Sequence, residues 1–346
     1  MARYQKNKEI FVWCCELSEH SGEGKLALSY IRDIKNYLNS KIILKTPELF
    51  LNKFNISDLK KKNKNKPKLN RLKYLTPFIG VFFCWVYFFK KKQCCYINYL
   101  PLWNSLLFLL LPPKTILGPI TGGASYPIKL DFNFIIRNYI FKILYKISLS
   151  IIFFRNKKII LSTSLLKKEI PANKLSYCYF NYIFRLLKDF PIKKKDIDIL
   201  LYNRDHPNKI FQNKNIINFL LKNNINIHVV GAYLSIKKIK NHGYVTNKQV
   251  NILLNRSKFT LTSQENFFTL FIIEALSNKV RILTDKNYKQ FLNHVNEKVF
   301  VNIKSKNVKN IKFKTKTNIN NFKIIYNKLK QERIKNNELR NYFIFS

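Results

Sequence analysis

The chain has little glycine and few acidic residues. Its 346 residues include only 8 glycines and 19 aspartates or glutamates, against 63 lysines and arginines. The scarcity of glycine, with 47% hydrophobic and 15% aromatic residues, excludes a disordered chain. A chain of this length is expected to fold as two domains of ordinary size, each with its own core.

The shortage of acidic residues leaves a formal charge of +44. Such a charge favours nucleic acid or an anionic membrane surface as a partner. Genome composition is an equal alternative, because Lys, Asn, Ile and Phe all have A/T-rich codons. No nucleic-acid-binding module is recognisable and the aromatic residues follow core periodicity, so a nucleic acid is not the expected partner.

The chain also lacks the spacings of a metal site. Its six cysteines, at positions 14, 15, 84, 94, 95 and 178, show no Cys-x-x-Cys pattern and are predicted to be reduced thiols. The histidines are too scattered for metal ligands, and His228, inside a strand, is expected in the core or at an edge. The first apolar run, residues 10–15, is too short for a signal peptide, which predicts a cytoplasmic protein.

Two apolar segments approach the length of a membrane-spanning helix. Residues 77–89 fall short of the roughly 20 residues that a span requires. Residues 132–154 are long enough but include Arg137, and Asn138, Lys142 and Lys146 recur every four residues on one helical face. This pattern favours a helix that lies on a membrane surface or on the protein's own sheet.

Strand-like and helix-like segments alternate throughout, as in parallel sheets covered by helices. Strands are predicted at residues 10–15, 41–44, 94–98, 115–117, 158–162, 197–202, 225–230, 258–261, 280–283 and 298–301. The run from Phe190 to Lys195 combines a proline with three lysines and suits a linker. We therefore predict domains at residues 1–190 and 191–325, with a C-terminal helix at 326–346 that packs back on the first domain.

Two glycine-containing segments of the first half follow strands. A Gly-x-Gly loop before the first helix would let a ligand approach the helix N-terminus, although the third glycine of the dinucleotide fingerprint is missing. Three glycines within residues 118–123 predict unusual backbone geometry at the sheet edge where α/β proteins bind ligands, or a structural turn. The candidate residues are Gly22, Glu23, Gly24, Gly118, Thr121 and Gly122.

Arg204 and Lys209 lie on the segment that follows the strand at 197–202. Two such cations can hold a diphosphate from two sides and stabilise its departure without a metal ion. Asp196 and Asp198, at the start of the same strand, are expected to offset the lysines at 193–195. They are assigned no metal.

The second half presents its landmarks in the order Arg204, Lys209, Gly231, Tyr244, Val245, Ser263, Glu265 and Glu274. This order resembles the nucleotide-sugar domain of GT-B glycosyltransferases, particularly the large retaining family with an E-x7-E motif. The resemblance implies an α/β fold with two Rossmann-like, doubly wound parallel-sheet domains facing a cleft. It also implies a nucleoside-diphosphate sugar as co-substrate and no metal or other cofactor.

The resemblance implies roles for these residues. Arg204 and Lys209 would grip the donor diphosphate, the backbone around Tyr244 and Val245 would meet the nucleobase, and Glu274 would bind the ribose. Either Glu265 or Asn266 would face the sugar. Both remain candidates because Glu265 and Glu274 enclose eight residues, so that Asn266 has the family spacing.

The activity implied is transfer of a sugar, with retention, to a cell-envelope glycan or lipid-linked acceptor. An anionic membrane surface at the inner face of the cytoplasmic membrane is a further expected partner. An inverting enzyme would instead need a base such as Glu19, His20 or Glu23. The alternatives are a basic nucleic-acid-binding protein and a GT-B scaffold without catalysis.

Overall fold

The computed structural model describes residues 9–17, 22–38, 41–47, 50–51, 75–122, 135–156, 158–180, 182, 194–204, 214–262, 269–284, 299–303, 319–331 and 336–345. The chain divides into two compact units. The first contains Met1–Gly123, Leu130–Ile183 and Glu332–Ser346, and the second contains Ala124–Lys129 and Phe184–Gln331.

The first unit is built on a five-stranded sheet in the order β3-β2-β1-β4-β5, in which every pair is parallel except β2 with β3. The strands are β1 (Glu9–Cys14), β2 (Lys41–Lys45), β3 (Phe50–Leu51), β4 (Gln93–Ile97) and β5 (Ile116–Leu117). A separate parallel pair, β6 (Ile159–Ile160) and β7 (Cys178–Tyr179), joins the edge of β5 through a bridge between Ile120 and Leu161.

Successive side chains of β1 enter different cores because a strand alternates its faces. Val12 packs with helix α1 (Gly22–Leu38) and helix α9 (Asn336–Phe345). Phe11 and Trp13 pack on the other face with α2 (Thr76–Phe89), α3 (Ser105–Leu110) and α4 (Phe141–Arg155). Helix α4 continues from a π-helical turn, Ile136–Ile140. The first sheet therefore has a helix layer on each face.

Helix α9 closes the core beneath α1. Tyr342 donates its hydroxyl to the carbonyl of Leu117 at 2.7 Å, and Tyr30 of α1 donates to the same carbonyl at 3.0 Å. Leu339 and Phe343 are buried in the same cluster. The last helix of the chain thus belongs to the first unit.

The second unit contains a six-stranded parallel sheet in the order β10-β9-β8-β11-β12-β13. The strands are β8 (Ile197–Asn203), β9 (Ile227–Gly231), β10 (Lys240–Asn241), β11 (Ser257–Leu261), β12 (Arg281–Thr284) and β13 (Phe300–Asn302). The helices are α5 (Lys214–Lys222), α6 (Asn247–Asn255), α7 (Leu270–Ser277) and α8 (Ile319–Gln331). Leu201 packs with α5 on one face, and Leu200 packs with α6 and α7 on the other.

The predicted fold class, α/β with two Rossmann-like parallel sheets, is confirmed, and each of the predicted strands begins and ends within two residues of an observed one. The six cysteines are free thiols, as predicted. The helix predicted within residues 132–154 packs Tyr145, Leu149 and Ile152 into the first core. Within the described residues, no helix combines the length and apolar character needed to cross a membrane.

Candidate functional site

The carboxyl ends of the second sheet bring several predicted residues to one edge. Arg204 directly follows β8, Gly231 ends β9, and Thr262 directly follows β11. Because the strands are parallel, these positions line the same edge. Arg204 is exposed there, whereas Thr262 is fully buried and its hydroxyl has no hydrogen-bond partner among the residues that the structure describes. The Thr262 hydroxyl was missed from the sequence, since burial of a polar group at a strand end leaves no local pattern.

Gly231 is a point of close approach between β9 and β8. It has a φ of +97°, and a Cβ at this position would lie 2.1 Å from the backbone oxygen of Asn203. The Asn203 carbonyl accepts from Ala232 at 2.9 Å, and its side-chain amide donates to the Ala232 carbonyl at 3.2 Å. Only glycine fits this geometry, which fixes the backbone immediately before Arg204.

The segment of Tyr244 and Val245 lies beside this turn. Gly231 donates its backbone amide to the carbonyl of Gly243 at 2.8 Å. Tyr244 then projects to solvent with 72% of its surface exposed, while Val245 packs against the core shared by α6 and α7. Thr246 begins α6 with a capping box completed by Gln249. The structure therefore brings Arg204, Gly231 and Tyr244 to one region.

Glu274 lies in the second turn of α7 and is half-buried. The helix begins at Leu270, after Thr269 accepts from the amide of Ile272 at 3.2 Å. The N-terminus of α7 thus lies beyond the carboxyl end of β11, where its amides favour anions. Four other predicted site residues lie outside the described residues: Lys209, Ser263, Glu265 and Asn266.

The expected partners of Asp196 and Asp198 were wrong. Asp196 forms a two-pronged ion pair with Arg256, one contact of which is 2.9 Å, and this pair lowers the pKa of Asp196 to about 2. Asp198 pairs with Lys258 at 2.7 Å. Lys195 instead donates to backbone carbonyls, including that of Ser257 at 2.6 Å. The contacts join segments about sixty residues apart, which local charge balance does not reveal.

The corresponding edge of the first sheet is organised by Asn98, which the sequence analysis missed. Its side-chain oxygen accepts from the amide of Cys15 at 2.9 Å, and its amide nitrogen donates to the carbonyls of Glu16 at 2.6 Å and Glu23 at 3.5 Å. Asn98 and Tyr99 both adopt left-handed conformations, with φ of 51° and 49°. An Asn directly after a strand is the one sequence signal for such a turn.

Tyr99 holds the carboxylate of Glu16 at this edge. Its hydroxyl donates to Glu16 Oε2 at 2.6 Å. Partial burial and this carboxylate together raise the pKa of Tyr99 far above its ordinary value. Burial also raises the pKa of the neighbouring Cys15 thiol to about 11, so the thiol stays protonated at neutral pH. Among the described residues, the edge therefore offers the carboxylates of Glu16 and Glu23 and the phenol of Tyr99, without a reactive thiolate.

The predicted Gly-x-Gly loop is part of helix α1. Gly22, Glu23 and Gly24 form its first turn, and none of them has a positive φ. The loop expectation was wrong because the acidic first turn continues directly into the helical pattern. Glu23 remains beside the edge, since its carbonyl accepts from Asn98.

Of the two described glycines in the second glycine segment, Gly118 and Gly122, one has the unusual geometry that was predicted. Gly122 has a φ of +123°. Gly118 allows the backbone to pass close to Ile97, because a Cβ added at position 118 would lie 3.0 Å from the Cα of Ile97. Thr121 is held by backbone hydrogen bonds with Leu100 at 3.0 Å and Leu102 at 2.9 Å.

Histidines 228 and 242 form a pair across β9 and β10. His228 is 7% exposed, and its Nδ1 lies 3.1 Å from Nε2 of His242. Burial lowers the pKa of His228 to about 4, with a smaller contribution from the nearby cations of His242, Lys240 and Arg256. His228 is thus buried within the second sheet, which is one of the two placements predicted for it. Among the described residues, no group of three or more His, Cys, Asp or Glu is placed to hold a metal ion.

Comparison with known proteins gives structural matches only. No protein-family model matches the chain, and no curated protein matches it in sequence. Sucrose-phosphate synthase from Thermosynechococcus elongatus superimposes with a TM-score of 0.59 at 10% identity, over 94% of each chain. This match shows the fold, which is a GT-B fold with two Rossmann-like domains.

Two further structures match at similar coverage. The N-terminal domain of trehalose-6-phosphate phosphatase from Candida albicans has a TM-score of 0.52 at 10% identity, over 99% of this chain and 97% of that one. HepE from Anabaena, in complex with UDP-glucose, has a TM-score of 0.50 at 9% identity, over 96% of this chain and 97% of that one. Each aligns with almost the whole of the present chain.

Proposed function

We propose that the protein is a glycosyltransferase that moves a sugar from a nucleoside-diphosphate sugar to a cell-envelope glycan or glycolipid. The carboxyl edge of the second sheet carries this proposal, because Arg204 lies there beside the Gly231 turn and exposed Tyr244. An exposed arginine next to close-packed backbone suits a phosphate group. The fold shared with HepE, whose structure contains UDP-glucose, supports a nucleotide sugar as the ligand.

Each residue has a role in this proposal. Arg204 and Lys209 would neutralise the diphosphate, and the segment of Tyr244 and Val245 would receive the nucleobase, where an exposed aromatic ring can stack. Glu274 would accept hydrogen bonds from the ribose. The diphosphate would leave without a metal ion, since two cations can offset its developing charge.

The chemical step would proceed with retention. The bond between the sugar and the diphosphate breaks, the acceptor oxygen bonds to the same face of the sugar, and a donor phosphate oxygen takes the acceptor's proton. Glu265 or Asn266 would face the sugar. An inverting reaction would instead need a base from the first unit, for which Glu23 is the described candidate. The protein would work at the inner face of the cytoplasmic membrane.

Calorimetric titration with UDP, GDP, CMP and their sugar conjugates tests the donor site. We expect one nucleotide family to bind, and Arg204→Ala to weaken binding by roughly 10- to 100-fold through loss of a charge-assisted hydrogen bond. Glu274→Gln should weaken the binding of ribose-containing ligands by less, because an amide can still accept one hydrogen bond.

Arg256→Ala is the matched control. Arg256 pairs with Asp196 before the first residue of β8, at the opposite edge of the same sheet. It should leave nucleotide affinity unchanged. Equal affinity of the wild type and Arg204→Ala would refute the assigned site. Binding without transfer to any acceptor would support a non-catalytic scaffold, and salt-sensitive RNA binding without nucleotide binding would support the nucleic-acid alternative.

A further inference from the structure

One helix layer of the first unit has an apolar outer surface. Helices α2, α3 and α4 cover the same face of the first sheet, so their outward sides point away from that sheet. Within the described part of the chain, twenty-one large hydrophobic side chains are exposed, and fifteen of them lie between residues 75 and 154. Single exposed apolar residues are ordinary, but a concentration of this size marks an interaction surface.

Helix α2 contributes an unbroken apolar stripe. Leu75, Ile79, Phe82 and Phe89 follow one another at intervals of four, three and seven residues, which places them on one side of the helix. Phe82 is 63% exposed and Phe89 is 74% exposed. A helix facing water has polar residues on its outer side, whereas Thr76–Phe89 contains neither a charged residue nor an amide. The outer side of α2 is therefore unsuited to water.

Helices α3 and α4 extend this surface. Leu109 of α3 is 60% exposed, and Ile143 and Phe154 of α4 are 61% and 93% exposed. Trp103, just before α3, stacks on Phe141 of α4 with ring centroids 5.5 Å apart and remains partly exposed. We refer to the outer sides of α2, α3 and α4 as the apolar surface.

The apolar surface is held in place by specific hydrogen bonds. Arg155 at the end of α4 donates to the carbonyls of Phe108 at 2.5 Å and Leu109 at 2.9 Å, and thereby caps α3. Trp85 of α2 donates its indole N–H to the carbonyl of Leu110 at 2.8 Å. The short helix α3 is thus held by hydrogen bonds from both α2 and α4. Its exposed leucines therefore keep their position without a binding partner.

Exposed lysines border the apolar surface, and acidic residues are almost missing from this part of the sequence. Lys90 and Lys91 follow the end of α2, and Lys142 and Lys146 alternate with exposed isoleucines on α4. Between Asp58 and Glu169 the sequence contains one acidic residue, Asp131. The surface therefore combines apolar side chains with positive charge of nearly one sign.

We propose that the apolar surface docks on a lipid bilayer containing anionic headgroups, with α2, α3 and α4 lying in the interface. Exposed Phe and Leu would enter the acyl boundary, Trp103 would lie at headgroup level, and the lysines would meet lipid phosphates. A protein partner fits less well because Lys142 and Lys146 lie among the exposed isoleucines of α4, and protein interfaces are poor in lysine. The proposal goes beyond sugar transfer, since this surface would bind lipid even if the chain transferred no sugar.

Vesicle flotation of the full chain tests the proposal, with vesicles of phosphatidylcholine alone or mixed with phosphatidylglycerol. We expect binding to the mixed vesicles that weakens with salt. The double variant Leu109→Gln with Phe154→Gln should bind at least about tenfold more weakly, because two large apolar side chains are lost from the interface. Lys142→Gln with Lys146→Gln should weaken binding by roughly tenfold, and less at high salt.

Two control variants distinguish binding through the apolar surface from nonspecific binding through any exposed apolar residue or any exposed lysine. Ile252→Gln with Ile324→Gln removes exposed apolar residues of the second unit, and Lys222→Gln with Lys248→Gln removes exposed lysines there. Both should bind vesicles like the wild type. Equal loss in a control and its matched variant would overturn the proposal. So would the absence of vesicle binding together with a dimer in sedimentation that Leu109→Gln with Phe154→Gln converts to monomer. Nucleotide titration of the same variants reports the donor site independently.

Discussion

The two sheets turn the chain at their carboxyl edges in different ways. In the second unit, β9 ends at Gly231, where a missing side chain lets the backbone approach Asn203. In the first unit, β4 ends before Asn98 and Tyr99, which hold left-handed conformations that glycine would adopt more easily. One edge depends on the absence of a Cβ, and the other depends on an amide side chain that ties three segments together.

This difference indicates what each edge can tolerate. At the edge of the second sheet, Gly231 lets the backbone come close to a ligand, but no other residue fits at this position. An edge built on Asn98 accepts some backbone strain in exchange for hydrogen bonds to Cys15, Glu16 and Glu23. The two edges should therefore fail in different ways when they are changed.

The largest effect is expected at Gly231. Gly231→Ala introduces a Cβ 2.1 Å from a backbone oxygen at a φ of +97°, and should lower the free energy of unfolding of the second unit by roughly 3–5 kcal/mol. Gly243→Ala is the control, because its Cβ would meet nothing within 4 Å, and it should cost only about 1 kcal/mol. Denaturant unfolding measures both. Similar values for the two variants would show that crowding at Gly231 is unimportant.

An intermediate effect is expected at Asn98. Asn98→Ala removes a fully buried side chain and leaves the half-buried amide of Cys15 without its partner, and should destabilise the first unit by about 2–4 kcal/mol. Asn98→Gly loses the same hydrogen bonds but relieves the left-handed strain, so it should be more stable than the alanine variant by about 1 kcal/mol. Thermal and denaturant unfolding would measure the difference. If Asn98→Ala were as stable as Asn98→Gly, the left-handed conformation at position 98 would cost no measurable free energy.

The smallest effect is an acid sensitivity of the second unit. The folded pKa of His228, about 4, lies below the ordinary value of 6.5, so between these values the unfolded chain binds the extra proton. The free energy of unfolding should therefore fall by about 1–3 kcal/mol as the pH drops from 6.5 to 4, and this stabilisation is fully present above pH 6.5. His242, Lys240 and Arg256 oppose protonation of His228, and Asp196 favours it.

NMR titration of the histidine ring signals measures this pKa directly. His242→Gln keeps a polar group beside His228 while removing one cationic neighbour, and should raise the pKa of His228 slightly. Titration of wild-type His228 near 6.5 would contradict the prediction and remove the proposed acid sensitivity.

The strands could be predicted because each is a short apolar run between turn signals, as in the run of Ile197 to Asn203. Arg204, Gly231 and Tyr244 were expected at one ligand site because their order along the chain resembles that of GT-B glycosyltransferases. The parallel strands explain why Arg204 and Gly231 lie at the same edge of the sheet. Sequence reasoning of this kind predicts which residues lie along an edge, but it does not predict the contacts between their side chains.

The remaining features depend on contacts between distant segments. Asp196 pairs with Arg256 sixty positions away, and Asn98 bonds to Cys15 eighty-three positions away. No local pattern encodes such pairs. The apolar outer side of α2 was recognisable as an apolar run, but only the packed structure separates the buried Val81 and Cys84 from the exposed Phe82.

Helix α9 has a consequence for the order of events in the cell. Tyr342 and Tyr30 share the Leu117 carbonyl, so the first unit completes its core with residues that a ribosome adds after the whole second unit. During synthesis the first unit must wait, with the side of α1 that packs on α9 uncovered, until residues 336–345 have emerged. A nascent chain stalled before Asn336 would therefore present an unfinished first unit next to a second unit whose residues are already complete.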